Sequence, residues 1–342
     1  YKEHPGHPRT SQIMAQAIYA GLEAFGAPKS VFGYVADASH ETGQNLVRHP
    51  KVKAVAFTGS FKGGMALYKI GANRPDPIPV FAEMGSLNPV IALPKYLQSN
   101  ADPFAKDYIA SLTLGCGQFC TNPGLLFIVK NENSEQLKKA IKAELASVSV
   151  IPMLNTGIRQ SYDAGLRLLH SIEAAHSVAQ TESTERIPSA TVFTISASNF
   201  ITNKHLHEEV FGPCGIIVEC DSIAQLEESI EVLGGQLTIT FAASPEDFKE
   251  NPSLIARVQE KCGRLLFNGM PTGVDVVYAM QHGGVFPSTT DSRFTSVGPD
   301  AMKRFLRPVS FQNWPDDLLP AELQNANPTK IERIENNKRI SP

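Results

Sequence analysis

The sequence predicts an α/β fold with parallel strands joined by helical crossovers, on three observations. Short apolar runs alternate with amphipathic helical stretches along most of the 342 residues. Several runs, 125–129 and 215–218 among them, have the length of buried strands and fall far short of a membrane span. A Gly-Ser turn, Thr58-Gly59-Ser60, stands between a strand pattern and a helical one, where free amides can meet a phosphate.

Taken in order, Thr10 and Ser11 can cap a helix with Ile13, Met14, Ala17, Ile18 and Leu22 on one face, stopping at Gly26-Ala27-Pro28. A strand is expected over 31–35, a helical stretch over 41–47, and a short buried strand over 53–57. A helix over 63–70 then leads to a strand over 78–83. After Asn88 come a strand (89–93) and a helix (103–114) whose Pro103 suits a first-turn position. A cysteine-bearing turn and a strand (125–130) follow, then helices over 134–147 and 157–170. The polar stretch 175–188 reads as a loop. Further strands are expected at 191–195, 215–218, 237–241 and 265–268, with helices at 223–232 and 254–261. Residues 325–342 are polar with mixed charge and read as an exposed tail.

Composition narrows the function. Hydrophobic content of 42% and charged content of 19% describe a folded globular chain. Lys and Arg (31) do not exceed Asp and Glu (34), so nucleic acid is not an expected partner, and neither is a membrane. Five cysteines, and no signal-like start, fit free thiols in a reducing compartment such as the cytoplasm. Cys116 and Cys120 have no partner pair at zinc-ligand spacing, and Cys214, Cys220 and Cys262 read as small buried hydrophobes, so no metal site is expected. The chain opens Tyr1-Lys2-Glu3-His4-Pro5 as if at the exit of a strand, which reads as a chain missing its beginning.

Chemistry concentrates in two segments. Cys120 lies in Leu114-Gly115-Cys116-Gly117-Gln118-Phe119-Cys120-Thr121-Asn122-Pro123-Gly124, a turn-rich connection where backbone amides can point at a bound oxygen. Glu83 ends the apolar run Val80-Phe81-Ala82, so desolvation is expected to raise its pKa and suit it to accept protons near neutrality. A thiol and a tuned carboxylate can form and then hydrolyse a thioester. Taken singly, a cysteine is a small core residue and a strand-end Glu a solvated rim charge; only the pair has chemical meaning.

Four segments together resemble the aldehyde dehydrogenase superfamily. They are Phe57-Thr58-Gly59-Ser60, Glu83-Met84-Gly85-Ser86-Leu87-Asn88-Pro89, Gly117-Gln118-Phe119-Cys120 and Glu208-Glu209-Val210-Phe211-Gly212-Pro213, in the family's order and spacing. Lys2 through Pro8, Asn268-Gly269-Met270-Pro271-Thr272-Gly273-Val274 and His282-Gly283-Gly284 resemble the branch of 2,5-dioxopentanoate (2-oxoglutarate semialdehyde) and NADP-dependent fatty aldehyde dehydrogenases.

The resemblance implies a Rossmann-like parallel-sheet domain, incomplete here (1–87), an α/β catalytic domain carrying the thiol (88–310), and a C-terminal tail (311–342). It implies NAD(P)-dependent oxidation of an aldehyde to a carboxylate, first of 2-oxoglutarate semialdehyde and second of a fatty or other aliphatic aldehyde. Cys120 would attack the aldehyde, Glu83 would activate the hydrolytic water, and the Cys120 N–H would supply half of the oxyanion hole. Gly59 and Ser60 would meet the cofactor pyrophosphate, Glu209 and Phe211 the nicotinamide ribose, and Lys2 the adenosine ribose. Pro5 stands where NAD-selective relatives place a Glu, which favours NADP, with NAD also open. The family motif usually has Gly where this chain has Ser86, and an oxyanion-hole Asn upstream of Lys2. Losing one such donor typically costs about 10²–10³ in rate. Rival expectations are therefore a catalytically impaired fragment that acts only as a binding or structural unit, and a cofactor-free thiol esterase. A homo-oligomer is the family's usual assembly.

Overall fold

The computed structural model describes residues 1–341, which fall into two compact units, Tyr1–Ala301 and the chain from Met302 onward. In the first unit, α1 (Pro8–Phe25) has Pro8 in its first turn and ends at Gly26, whose φ of 74° is the left-handed closure that glycine permits. His7 occupies the N-cap, so Thr10 and Ser11 lie inside the helix and do not cap it. The strand expected over 31–35 is not formed. Lys29–Val31 is a single 3-10 turn, and Val35 pairs with Lys2 in an isolated parallel bridge. Val31 is exposed, and β-branched composition makes a strand only where a neighbour is there to pair with it.

Helix α2 (His40–Arg48), capped by Ser39, leads to β1 (Val55–Thr58), α3 (Phe61–Ala72) and β2 (Val80–Glu83). The two strands pair in parallel with Thr58 opposite Glu83, and every residue of β2 is buried.

The larger sheet is built from β3 (Val90–Ala92), α4 (Pro94–Thr113), β4 (Leu125–Val129), α5 (Glu132–Ala146), α6 (Thr156–Ser171), β5 (His176–Gln180), β6 (Thr191–Ser196), α7 (Ala197–Thr202), β7 (Cys214–Cys220), α8 (Ile223–Glu231), β8 (Gln236–Ala242), α9 (Pro245–Glu250), α10 (Ser253–Gln259) and β9 (Cys262–Phe267). Its seven strands run in the order β5-β6-β7-β4-β3-β8-β9. All neighbours are parallel except β5 and β6. Alternate residues feed opposite cores. Val90, Leu126 and Ile128 pack with Phe104, Tyr108 and Leu112 of α4 on one face, while Ile91, Leu125 and Phe127 pack with Tyr162, Phe200 and Leu226 on the other. Both faces are covered by helices, which is why these strands read as unbroken apolar runs.

Two expectations are corrected in this sheet. Helix α4 begins at Pro94, nine residues before Pro103, which lies inside the helix and removes one interior N–H donor. The stretch expected to be a loop contains β5, an antiparallel edge strand with a register shift between Ser177 and Ala179. As an edge strand with little buried surface, it has only the adjacent pair Val178 and Ala179 against the core, so it carried no apolar alternation to find.

In the second unit, within the polar stretch expected to be a tail, β10 (Arg333–Glu335) and β11 (Lys338–Ile340) form an antiparallel hairpin. Asn336 and Asn337 turn it with φ of 49° and 62°, the paired left-handed geometry of a two-residue hairpin loop.

Candidate active site

Because their strands run parallel, the turns entering β3, β4, β7 and β8 lie on one edge of the sheet. Asn88 precedes β3, Cys120 and Asn122 precede β4, Gly212 precedes β7, and Gln236 begins β8. Asn88 is the fastener. Its φ is 45°, a left-handed conformation that Asn tolerates better than most residues. Its amide nitrogen reaches the carbonyls of Ser86 (3.2 Å), Cys120 (2.9 Å) and Asn122 (2.9 Å), sharing two hydrogens among three acceptors. Gln236 Oε1 accepts from the N–H groups of Leu87 (2.7 Å) and Asn88 (3.2 Å). The Ser86 hydroxyl, buried, accepts from Leu237 N–H at 3.0 Å and lies within hydrogen-bond reach of Asn88 Oδ1 and Gln236 Oε1. A serine in place of the family's glycine therefore adds a tie between this turn and the sheet.

The cysteine loop is held just as tightly. Gly115, Cys116 and Gly117 are consecutively left-handed, with φ of 55°, 61° and 64°. A Cβ on Gly117 would run into the Gly212 carbonyl, so glycine is required there by space as well as by φ. Asn122 Nδ2 donates to that same Gly212 carbonyl at 3.1 Å. Among the described residues, the Cys120 N–H donates to no protein acceptor.

Cys120 Sγ lies 3.1 Å from His282 Nε2, and that same nitrogen lies 3.2 Å from Glu83 Oε1. The Ser296 hydroxyl donates to the other carboxylate oxygen, and its Oγ lies 2.9 Å from the His282 carbonyl. Cys120 is half-buried, whereas Glu83 and His282 are only 5% and 3% exposed. Burial works to lower the His282 pKa, but its bonds to Cys120 and Glu83 prevail and push it up to about 9. One cost opposes that rise: His282 Nδ1 is buried with no hydrogen-bond partner among the described residues.

Glu83 corrects its expectation. Burial does push the carboxyl up, but the bonds from His282, Ser296 and Cys120 together hold it below its ordinary value. It rests as a carboxylate and not as a group poised near neutrality.

The residues expected at a cofactor divide into two groups. Glu209 and Phe211 line one cleft with Ser86, Gly117 and Asn122, at the entrance of the strands that carry the thiol. The Glu209 carboxylate accepts from the Ser86 N–H, and a Cβ on Gly85 would sit 2.5 Å from its Oε2. Burial raises Glu209 to about 7. Gly59 and Ser60 stand at the end of β1, where the Gly59 N–H donates to the Glu83 carbonyl at 3.1 Å. Ser60 caps α3 by accepting from Gly63 N–H at 3.2 Å, leaving an exposed helix start. Lys2 sits in the bridge to Val35 with its ammonium on the Glu3 carbonyl at 3.1 Å, and it joins neither group.

Sequence reasoning quoted His282 only as a branch marker and passed over Asn88, Gln236 and Ser296 as functional residues. A histidine followed by two glycines was the available signal, but no spacing rule links it to a thiol 162 residues earlier.

The aldehyde dehydrogenase family profile matches residues 2–309. The alpha-ketoglutaric semialdehyde dehydrogenase of Acinetobacter baylyi is 42% identical over 98% of this chain, and alpha-ketoglutaric semialdehyde dehydrogenase 2 of Azospirillum brasilense is 40% identical over 98%. The chain spans 64% and 65% of the length of these relatives. Among solved structures, a bifunctional proline utilization A protein superposes with a TM-score of 0.74 at 23% identity, over 89% of this chain and 30% of that one. The gamma-glutamyl-gamma-aminobutyraldehyde dehydrogenase of Burkholderia cenocepacia superposes with 0.71 at 20% identity, over 89% and 60%. At these identities the two structures speak for the fold alone.

Proposed function

We propose that this chain, which belongs to the aldehyde dehydrogenase family, carries the reacting groups for oxidation of an aldehyde to a carboxylate through a cysteine thiohemiacetal and thioester. The observation that carries this reading is the unbroken line Cys120 Sγ, His282 Nε2, Glu83 Oε1, with steps of 3.1 and 3.2 Å. The thiolate is the attacking form of cysteine, and a protonated imidazole at 3.1 Å is its counter-ion. Sulfur attacks the aldehyde carbon. The carbonyl oxygen takes the negative charge and meets the Cys120 N–H, then a proton.

The donor set suits a dinucleotide. The exposed start of α3 at Ser60 offers N–H groups to a pyrophosphate, and the Glu209 carboxylate beside Phe211 offers acceptors to ribose hydroxyls. When bound, NAD(P)⁺ supplies the hydride acceptor that turns the thiohemiacetal into a thioester. Glu83, ionised, then takes a proton from the attacking water, Cys120 leaves as the thiolate, and the carboxylate product departs. Residues 1–87 serve cofactor binding and 88–310 carry the thiol, in this reading. Pro5, three residues after Lys2, puts no carboxylate against a 2′-phosphate, which supports NADP. The names of the two relatives support 2-oxoglutarate semialdehyde as the substrate.

Cys120→Ala tests the reading. It is expected to abolish NADP-dependent oxidation of that aldehyde while the circular-dichroism spectrum and melting curve stay those of the parent. Oxidation retained by the variant would overturn it.

A further inference from the structure

We propose that Cys120, His282 and Glu83 also form a binding site for Zn²⁺, occupied reversibly and inhibitory. Their donor atoms, a sulfur, a ring nitrogen and a carboxylate oxygen, all lie within 4.8 Å of one another. Zinc takes sulfur at about 2.3 Å and nitrogen or oxygen at about 2.0–2.2 Å in tetrahedral array, which spaces its donors about 3.3–3.6 Å apart. The separations of 3.1 and 3.2 Å need only a few tenths of an ångström of retreat by the ring, about what those radii imply. Three protein donors with a fourth position open is how zinc is held when a small molecule completes its shell, and half-buried Cys120 leaves the way in.

The donor types choose the ion. A thiolate and an imidazole favour zinc and its spectroscopic stand-in Co²⁺, whereas Mg²⁺ and Ca²⁺ want oxygen throughout. The second shell is half built. Ser296 holds the outer oxygen of Glu83, but His282 Nδ1 has no partner to lock the ring. A missing partner of that kind typically costs about 10–100-fold in affinity, which makes the ion a visitor and not a resident. On binding, the proton between Sγ and Nε2 goes to solvent. The sulfur electron pair is then committed to the metal and no longer available to an aldehyde carbon. The site rests on the donor geometry and stands whether or not the chain oxidises an aldehyde.

The test is Co²⁺ titration of the reduced, metal-stripped chain, read by absorbance. We expect a near-ultraviolet thiolate-to-cobalt band that Zn²⁺ displaces, absent in Cys120→Ser and weakened in His282→Gln. In parallel, Zn²⁺ is expected to slow iodoacetamide alkylation of Cys120 in the parent chain at least about tenfold, by mass spectrometry of its peptide, with EDTA restoring the rate. No thiolate band at millimolar Co²⁺ would overturn the proposal, as would a band that survives Cys120→Ser. So would alkylation indifferent to Zn²⁺, the result expected if the metal bound only elsewhere, for instance at the stacked rings of His4 and His7. Aldehyde oxidation is not part of either readout, so failure here leaves the dehydrogenase reading standing.

Discussion

His282 Nε2 is shared between Cys120 Sγ and Glu83 Oε1, at 3.1 and 3.2 Å, so one ring nitrogen bridges nucleophile and carboxylate. Replacing the ring removes that link and leaves the backbone untouched. His282→Ala is expected to lower kcat by about 10²–10⁴, the usual worth of a positioned proton-transfer group, and to slow alkylation of Cys120 in parallel. A normal alkylation rate would show that the ring does not act on the sulfur.

Glu209 gives a pH dependence. Burial raises it to about 7, so it is protonated below that pH and cannot accept from ribose hydroxyls with full charge. The apparent KM for the cofactor is expected to fall as pH rises from about 6 to about 8, and Glu209→Gln should flatten that fall. Stability runs the other way. Between the ordinary glutamate value and about 7 the folded chain binds more protons here than the unfolded one, so this group's contribution declines with rising pH. Unfolding followed by urea at both ends of the window checks the sign.

Gly85 separates cofactor binding from thiol chemistry. A Cβ there would sit 2.5 Å from Glu209 Oε2. Gly85→Ala should displace that carboxylate and weaken cofactor binding at least about tenfold, the scale of one lost charged hydrogen bond. Alkylation of Cys120 should be unchanged, since the thiol's own partners are not touched. A parallel loss of both would mean that the turn as a whole had moved.

Asn88→Ala removes an amide from three carbonyls and puts alanine at φ 45°. Unsatisfied buried carbonyls and a left-handed non-glycine residue together should cost about 2–4 kcal/mol. Denaturant midpoints measure this, and Asn88→Gly, which relieves only the backbone part, should recover a fraction of it.

Much of this site was legible because each part had a local cause. Cys120, Ser60, Glu83 and Glu209 sit in short segments whose glycines, prolines and strand endings can be read in place. His282 was not legible as a partner. Its role depends on where the chain returns after β9, and a three-dimensional return leaves no mark on spacing. The sign of the Glu83 shift failed for a related reason, since desolvation follows from the apolar residues beside it, whereas the opposing donors come from distant loops. In the fold, β5 and the interior position of Pro103 were missed because an edge strand needs no apolar alternation and a long helix can absorb a proline.

The three carbonyls gathered by Asn88 have a thermal consequence. One side chain bonds the turn after Glu83 and the carbonyls of the nucleophile and of Asn122, and it stands at the entrance of the interior strand β3. The sulfur cannot drift on its own as temperature rises, because its loop vibrates with the sheet and not apart from it. On heating, thiol reactivity and sheet structure should therefore vanish over the same few degrees, with no interval in which the chain is folded but its nucleophile is loose.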